Sequence, residues 1–313
     1  MRRGLGGFVL AVALIAVGCS TQPTPTEKPS IVVTTSILGD VVSNVVGDRA
    51  TVEVLMPAGA DAHDFQASAA QVARIHNADL VVANGLGLEE GLAPVLAAAA
   101  ADGVRVFELA PRLNPIPFVF GHDDHDDEDE DEDEADHDHD LDPHVWMDPV
   151  RMAEAGHQIA FELEQIDPET DWMGPAKMYY AKMIAVHREI EQMLGTVAPA
   201  DRKMVTNHAS FGYFADRYGW EVVGTVIPGG SSLGAPSSAD LAELVAGILA
   251  EDVGVIFVET SSPDDLARVV AAEVGRDMQV VTLHTESLGD PPADTLVGML
   301  EENARLITQA LTE

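Results

Sequence analysis

From residue 31 onward the chain alternates between short β-branched runs and amphipathic stretches of helical period. Apolar runs bounded by Gly, Pro or polar residues at 31–36, 52–57, 80–85 and 104–109 read as strands. The spacing predicts helices over 38–46, 67–76 and 89–101 between them. A second set of strands is predicted at 203–208, 221–228, 253–260 and 278–284, with helices over 210–218, 238–251, 264–274 and 294–311. Four βα units in each half predict an α/β fold of two domains, each with a parallel sheet flanked by helices. Two further helical stretches lie between the halves. One covers 151–165 and stops at Ile166-Asp167-Pro168; the other covers 174–197 and opens with Pro175 in its first turn. At 1.5 Å per residue the second spans about 35 Å, enough to run along both domains as a stiff link. The expected boundaries are an N-terminal domain over 31–171, a linker helix over 172–200 and a C-terminal domain over 201–313.

The pattern breaks down in two places. At the start, Arg2 and Arg3 precede an apolar run from Leu5 to Val17, too short for a stable membrane anchor. The run ends in Ala16-Val17-Gly18-Cys19, and Cys19 is the single cysteine of the chain. Small residues before a lone Cys, followed by Ser20-Thr21-Gln22-Pro23-Thr24-Pro25-Thr26, resemble a bacterial lipoprotein signal. The expected reading is a signal peptide over 1–18 and a lipidated tether over 19–30, placing the protein on the extracytoplasmic face of the cell membrane. An ordinary signal peptide with a chance Cys is the alternative. The second break runs from His122 to Asp140, with fourteen acidic residues, four histidines and one Ala among nineteen positions. Such a stretch has nothing to bury and is expected to be a disordered loop within the N-terminal domain. Its His122, His125, His137 and His139, interleaved with carboxylates, also make a weak multi-site trap for divalent cations. A plain solvated spacer is the competing account.

Composition narrows the function. The 313 residues are 46% hydrophobic, enough for a large core, and carry a formal charge of −36. Even without the acidic stretch the remainder is strongly negative, which argues against nucleic acid as a partner. With one cysteine there can be no internal disulfide, so stability rests on the core.

Open parallel sheets hold ligands beyond the carboxyl ends of their strands, and the informative residues sit there. His63 follows the second predicted strand in Met56-Pro57-Ala58-Gly59-Ala60-Asp61-Ala62-His63; His208 closes the first strand of the second half in Val205-Thr206-Asn207-His208; Glu286 follows the last in Leu283-His284-Thr285-Glu286. His144 stands between two Asp-Pro pairs in Asp142-Pro143-His144-Val145-Trp146-Met147-Asp148-Pro149. Any one of these alone reads more readily as a loop or capping residue. Together they supply three imidazoles and a carboxylate, a donor set suited to tetrahedral Zn²⁺. Glu286 is favoured over His284 for the fourth position, although either could point inward. Asp61, Asp142 and Glu259 are candidates to hydrogen-bond the ligand imidazoles, with loop capping an equal account. His76, His157 and His187 fall within charged helical patterns and read as surface residues. No HExxH, phosphate-cradling Gly loop or Ser-His-Asp set supports the competing reading as a zinc hydrolase. The Gly-rich Gly229-Gly230-Ser231-Ser232-Leu233-Gly234 reads instead as a turn lining the cleft.

At these residues the chain resembles the zinc and manganese solute-binding lipoproteins of bacterial ABC importers. The resemblance rests on the segments around His63, His144 and His208, on Asn84-Gly85-Leu86-Gly87-Leu88-Glu89, on Phe211-Gly212-Tyr213-Phe214 and on Gly234-Ala235-Pro236-Ser237. It implies two βα domains joined by a rigid helix, one metal in the cleft, and His63, His144, His208 and Glu286 as its ligands. It also implies a membrane permease as partner and a monomeric carrier that turns nothing over. His at the third position and an acidic His-rich loop mark the zinc members; manganese is the alternative cargo. Ala62 replaces the family's usual Pro, and Glu286 its usual Asp.

Overall fold

The computed structural model describes residues 28–118 and 141–312. The signal segment, Cys19 and the acidic stretch with its four histidines lie outside the described residues. The first sheet is built from β1 (Ser30–Val33), β2 (Thr51–Val54), β3 (Leu80–Ala83) and β4 (Val106–Glu108), in the order β2-β1-β3-β4 and parallel throughout. The second contains β5 (Lys203–Thr206), β6 (Glu221–Thr225), β7 (Val255–Glu259) and β8 (Gln279–Leu283), in the order β6-β5-β7-β8 and again all parallel. The central strand β3, Leu-Val-Val-Ala, is buried at every position, as a strand covered on both faces must be. In each sheet the order reverses between the first and third strands. A crevice therefore opens at the carboxyl ends of β1 and β3 in one half and of β5 and β7 in the other.

Four helices, starting at Ser36, Ala69, Pro149 and Ser238, begin where a side chain satisfies their free amide groups. Helix α1 (Ser36–Val46) is capped by Thr35, whose hydroxyl accepts from Leu38 N, and it ends at Gly47, where φ is +56°. Helices α2 (Ala69–His76) and α7 (Ser238–Ala250) each open with a reciprocal capping box, Ser68 with Gln71 and Ser237 with Asp240. Helix α3 (Ala93–Ala101) starts four residues later than its sequence pattern predicts. The cause is Glu89, whose buried carboxyl group turns inward to accept from Thr34 Oγ1, Asn84 N and Gly85 N, so the chain turns once more before Ala93 and Pro94 open the helix.

Helix α4 (Pro149–Ile166) and the linker helix α5 (Met173–Leu194) pack as an antiparallel pair. The 22 residues of α5 extend over about 33 Å. It lies against α1 of the first half and against α9 (Leu296–Thr312) of the second. Its buried face is Ala176, Tyr179, Met183, Val186, Ile190 and Leu194. Helices α6 (Gly212–Tyr218) and α8 (Asp265–Val274) complete the second layer. One hydrophobic cluster runs without a break from Ile31 and Leu80 through Met183 and Ile190 to Met204, Phe257, Leu283 and Met299. A smaller one, including Leu244, Ile248, Ile256 and Val270, fills the space beneath α7 and α8. Polar bonds also cross between the halves: Asp40 of α1 accepts from Leu296 N at the head of α9 (3.1 Å), and Arg217 of α6 donates twice to the buried carboxylate of Asp148 (3.0 and 2.6 Å). Among the described residues no helix is long and apolar enough to cross a membrane.

Candidate metal centre

Each of the four expected donors arrives in the cleft from a different strand end or loop. His63 sits on the chain between β2 and α2, its backbone N donating to Asp61 Oδ1 at 2.9 Å. His144 follows a turn made by Asp142 and Pro143, in which Asp142 Oδ1 accepts from the His144 backbone N (2.9 Å). That turn is fixed from three sides. Asp142 N donates to Ile116 O (2.8 Å), Asp142 O accepts from Tyr213 Oη (2.6 Å), and Pro143 O accepts from Asn84 Nδ2 (2.9 Å). His208 lies two residues beyond β5, its carbonyl accepting from Thr206 Oγ1 at 2.7 Å. Glu286 lies three residues beyond β8 on a segment held at both ends. Asn303 of α9 bonds the His284 backbone N and O (3.0 and 2.6 Å), Trp146 Nε1 donates to Thr285 O (2.7 Å), and Ser287 Oγ accepts from Gly59 N (2.8 Å).

The four side chains converge, with one donor atom of each lying within 4.8 Å of the others. All four residues are buried, none more than 2% exposed. The Nε2 atoms of His144 and His208 are 3.2 Å apart, and Glu286 Oε1 lies 3.5 Å from the first and 3.4 Å from the second. His63 Nε2 stands 4.0 Å from Glu286 Oε2. A tetrahedral ion with bonds of 2.0–2.1 Å requires donors spaced about 3.3 Å apart, close to the first three separations. His63 Nε2 and both oxygens of Glu286 have no hydrogen-bond partner among the described residues. Buried polar atoms left unpaired around a common point are costly unless a cation fills it.

Behind the donors, carboxylates hold the other ring nitrogens. Asp142 Oδ1 lies 2.6 Å from His144 Nδ1 and Glu259 Oε1 2.6 Å from His208 Nδ1, while Glu90 Oε1 lies 3.2 Å from His63 Nδ1. Such pairing fixes the ring and directs the Nε2 lone pair inward. Burial, reinforced by the neighbouring imidazoles and opposed by Glu286, holds His144 well below the usual histidine range, hence neutral. Burial also pulls His208 downward, but Glu259 and Glu286 outweigh it and set its pKa well above that range. Burial pushes Asp142 up to about 7.

The remaining predicted residues divide cleanly. Asp142 and Glu259 do face the Nδ1 atoms of His144 and His208, each at 2.6 Å. Asp61 does not: it caps the His63 loop and accepts from Ser232 Oγ across the cleft (2.6 Å). The partner of the His63 ring is Glu90, which sequence reasoning missed because Glu89 and Glu90 are indistinguishable in a run; one faces the fold and its neighbour the cleft. His284 is outside the group, its ring turned against Gly289. His76 faces Asp102, His157 stacks on Tyr180 and His187 on Tyr218, all away from the centre. The Gly-rich turn borders the cleft as expected: a side chain on Gly230 would collide with the Phe118 ring.

Known proteins resemble this one over most of its length. The chain is 31% identical over 267 residues to the high-affinity zinc uptake system protein ZnuA of Bacillus subtilis, covering 81% of this chain and 80% of that protein. It is 26% identical over 259 residues to the manganese-binding lipoprotein MntA of Halalkalibacterium halodurans, covering 81% and 79% respectively. The solved structure of the periplasmic zinc-binding protein TroA from Treponema pallidum superposes with a TM-score of 0.78 at 26% identity, over 91% of this chain and all of that one. The model of the periplasmic zinc-uptake complex component A family, ZnuA, matches residues 31–310, and the chain belongs to that family of divalent-metal-binding solute-binding proteins, which are not enzymes.

Proposed function

We propose that the protein captures Zn²⁺ outside the cytoplasmic membrane and delivers it to the permease of an ABC importer. His63, His144 and His208 bind the ion through Nε2 and Glu286 through its carboxylate. One observation carries this reading: four buried donors from both halves converge, three of them nitrogen, and those of His144, His208 and Glu286 stand at separations matching tetrahedral coordination. Nitrogen-rich, four-coordinate sites favour Zn²⁺, whereas Mn²⁺ prefers six oxygen-rich positions. Manganese is the second reading because relatives such as MntA are named for it. Competition titration of the metal-free chain with both ions decides between them; tighter binding of Mn²⁺ overturns the zinc assignment. The 1–18 segment directs export, and Cys19 carries the lipid that keeps a monomeric carrier at the membrane, a reading supported by relatives named as lipoproteins. The histidines His122, His125, His137 and His139 collect additional ions weakly and raise their local concentration. A Cys19→Ala chain found in the soluble extracytoplasmic fraction, with the parent chain retained on membranes, checks the anchor.

A further inference from the structure

The three imidazole–carboxylate pairs behind the cleft are chemically alike and physically unequal. Asp142 with His144 and Glu259 with His208 are closed at 2.6 Å, with no side chain more than 1% exposed. Glu90 with His63 is longer, 3.2 Å, and the Glu90 side chain is 44% exposed. A carboxylate in water is screened and competes with solvent for its partner, so it orients the ring less firmly than its buried counterparts do. The donors show the same inequality. His144, His208 and Glu286 already stand 3.2 to 3.5 Å apart, while His63 Nε2 is 4.0 Å from Glu286 Oε2. The chain carrying His63 is also free of regular structure from the end of β2 at Val54 to the start of α2 at Ala69. Glu90 is nonetheless placed against that loop by its backbone: a side chain on neighbouring Gly91 would overlap the Phe65 carbonyl, so the two segments are in direct contact.

We infer that Glu90 is a positioning residue that sets how long the metal stays bound. The ion settles on His144, His208 and Glu286; His63, steered by Glu90 from the solvent side, closes the set last and lets go first. This rests on the ligand set proposed above. Removing Glu90 should therefore act on departure more than on arrival, because the three-donor landing site does not involve it.

The test is stopped-flow kinetics on the full chain loaded with Zn²⁺, chased with excess chelator, with association followed separately. Glu90→Ala should raise the dissociation rate about tenfold or more and change the association rate by less than about threefold. Glu90→Gln, whose amide oxygen still accepts from Nδ1–H, should fall between Ala and parent. The role assigned to Glu90 is overturned if Glu90→Ala releases Zn²⁺ at the parent rate, if association slows by as large a factor as dissociation rises, or if Gln releases as fast as Ala. His63→Ala separates this from the ligand assignment itself. Fast release from His63→Ala with parental release from Glu90→Ala leaves the ligands standing and removes Glu90 alone, whereas parental release from His63→Ala removes His63 from the ligand set.

Discussion

Two histidines of the cleft, buried to the same extent, behave oppositely. His144 is kept neutral by burial, with its Nδ1 against Asp142; burial also opposes charge on His208, but Glu259 on one side and Glu286 on the other prevail, and the imidazolium persists above the usual range. Incoming metal must displace that proton. Loading at pH 7 should release about one proton from His208, plus a fraction from Asp142, whose pKa of about 7 leaves it partly protonated there. Calorimetric titration in buffers of different ionisation heat measures this, and a release near zero would contradict the electrostatics described. The sign follows: protons compete, so affinity rises with pH through neutrality and falls steeply below it. Truncation gives the complementary prediction. Changing His63, His144 or His208 to Ala should each weaken Zn²⁺ binding by orders of magnitude in a competition titration. His76→Ala, remote and paired with Asp102, should leave it unchanged.

At the scale of elements, α5 is a frame and contributes no donor. Met183→Ala removes a fully buried side chain from its inner face and should cost about 2–5 kcal/mol in urea unfolding, leaving Zn²⁺ affinity near the parental value. Nearly every strand and helix was legible in the sequence, because β-branched runs and 3.6-residue periodicity survive without tertiary information. The start of α3 was not, since Glu89 acts through three groups just after β1 and β3 that are distant or unremarkable in sequence. The same limit applied to the centre. His63, His144, His208 and Glu286 were readable because strand ends in a parallel sheet share one edge. The choice of Glu286 over His284 depended on Asn303, nineteen residues further along, fixing the His284 backbone. Glu90 takes the place expected of Asp61 for a similar reason: only the folded chain brings Ser232 to Asp61 and the His63 ring to Glu90.

At the scale of the whole molecule, deleting residues 122–140 should leave one tight Zn²⁺ per chain and remove the weaker equivalents, as isothermal titration would count them; loss of the tight site would place that stretch within it. The continuous hydrophobic cluster has a further consequence for how the protein melts. Ile31 of the first sheet, Met183 of the linker and Met299 of the last helix belong to a single packed body. The first lobe then has no interior of its own to retain once the second is lost, and most of the second lobe's interior belongs to the same body. Heating should give one calorimetric transition whose van't Hoff enthalpy equals the measured heat, where two beads on a string would give two. Among the described residues only the small cluster under α7 and α8 stands outside that body. Its amide protons should exchange with solvent ahead of those in β1 and β3, by openings that leave the rest of the fold intact.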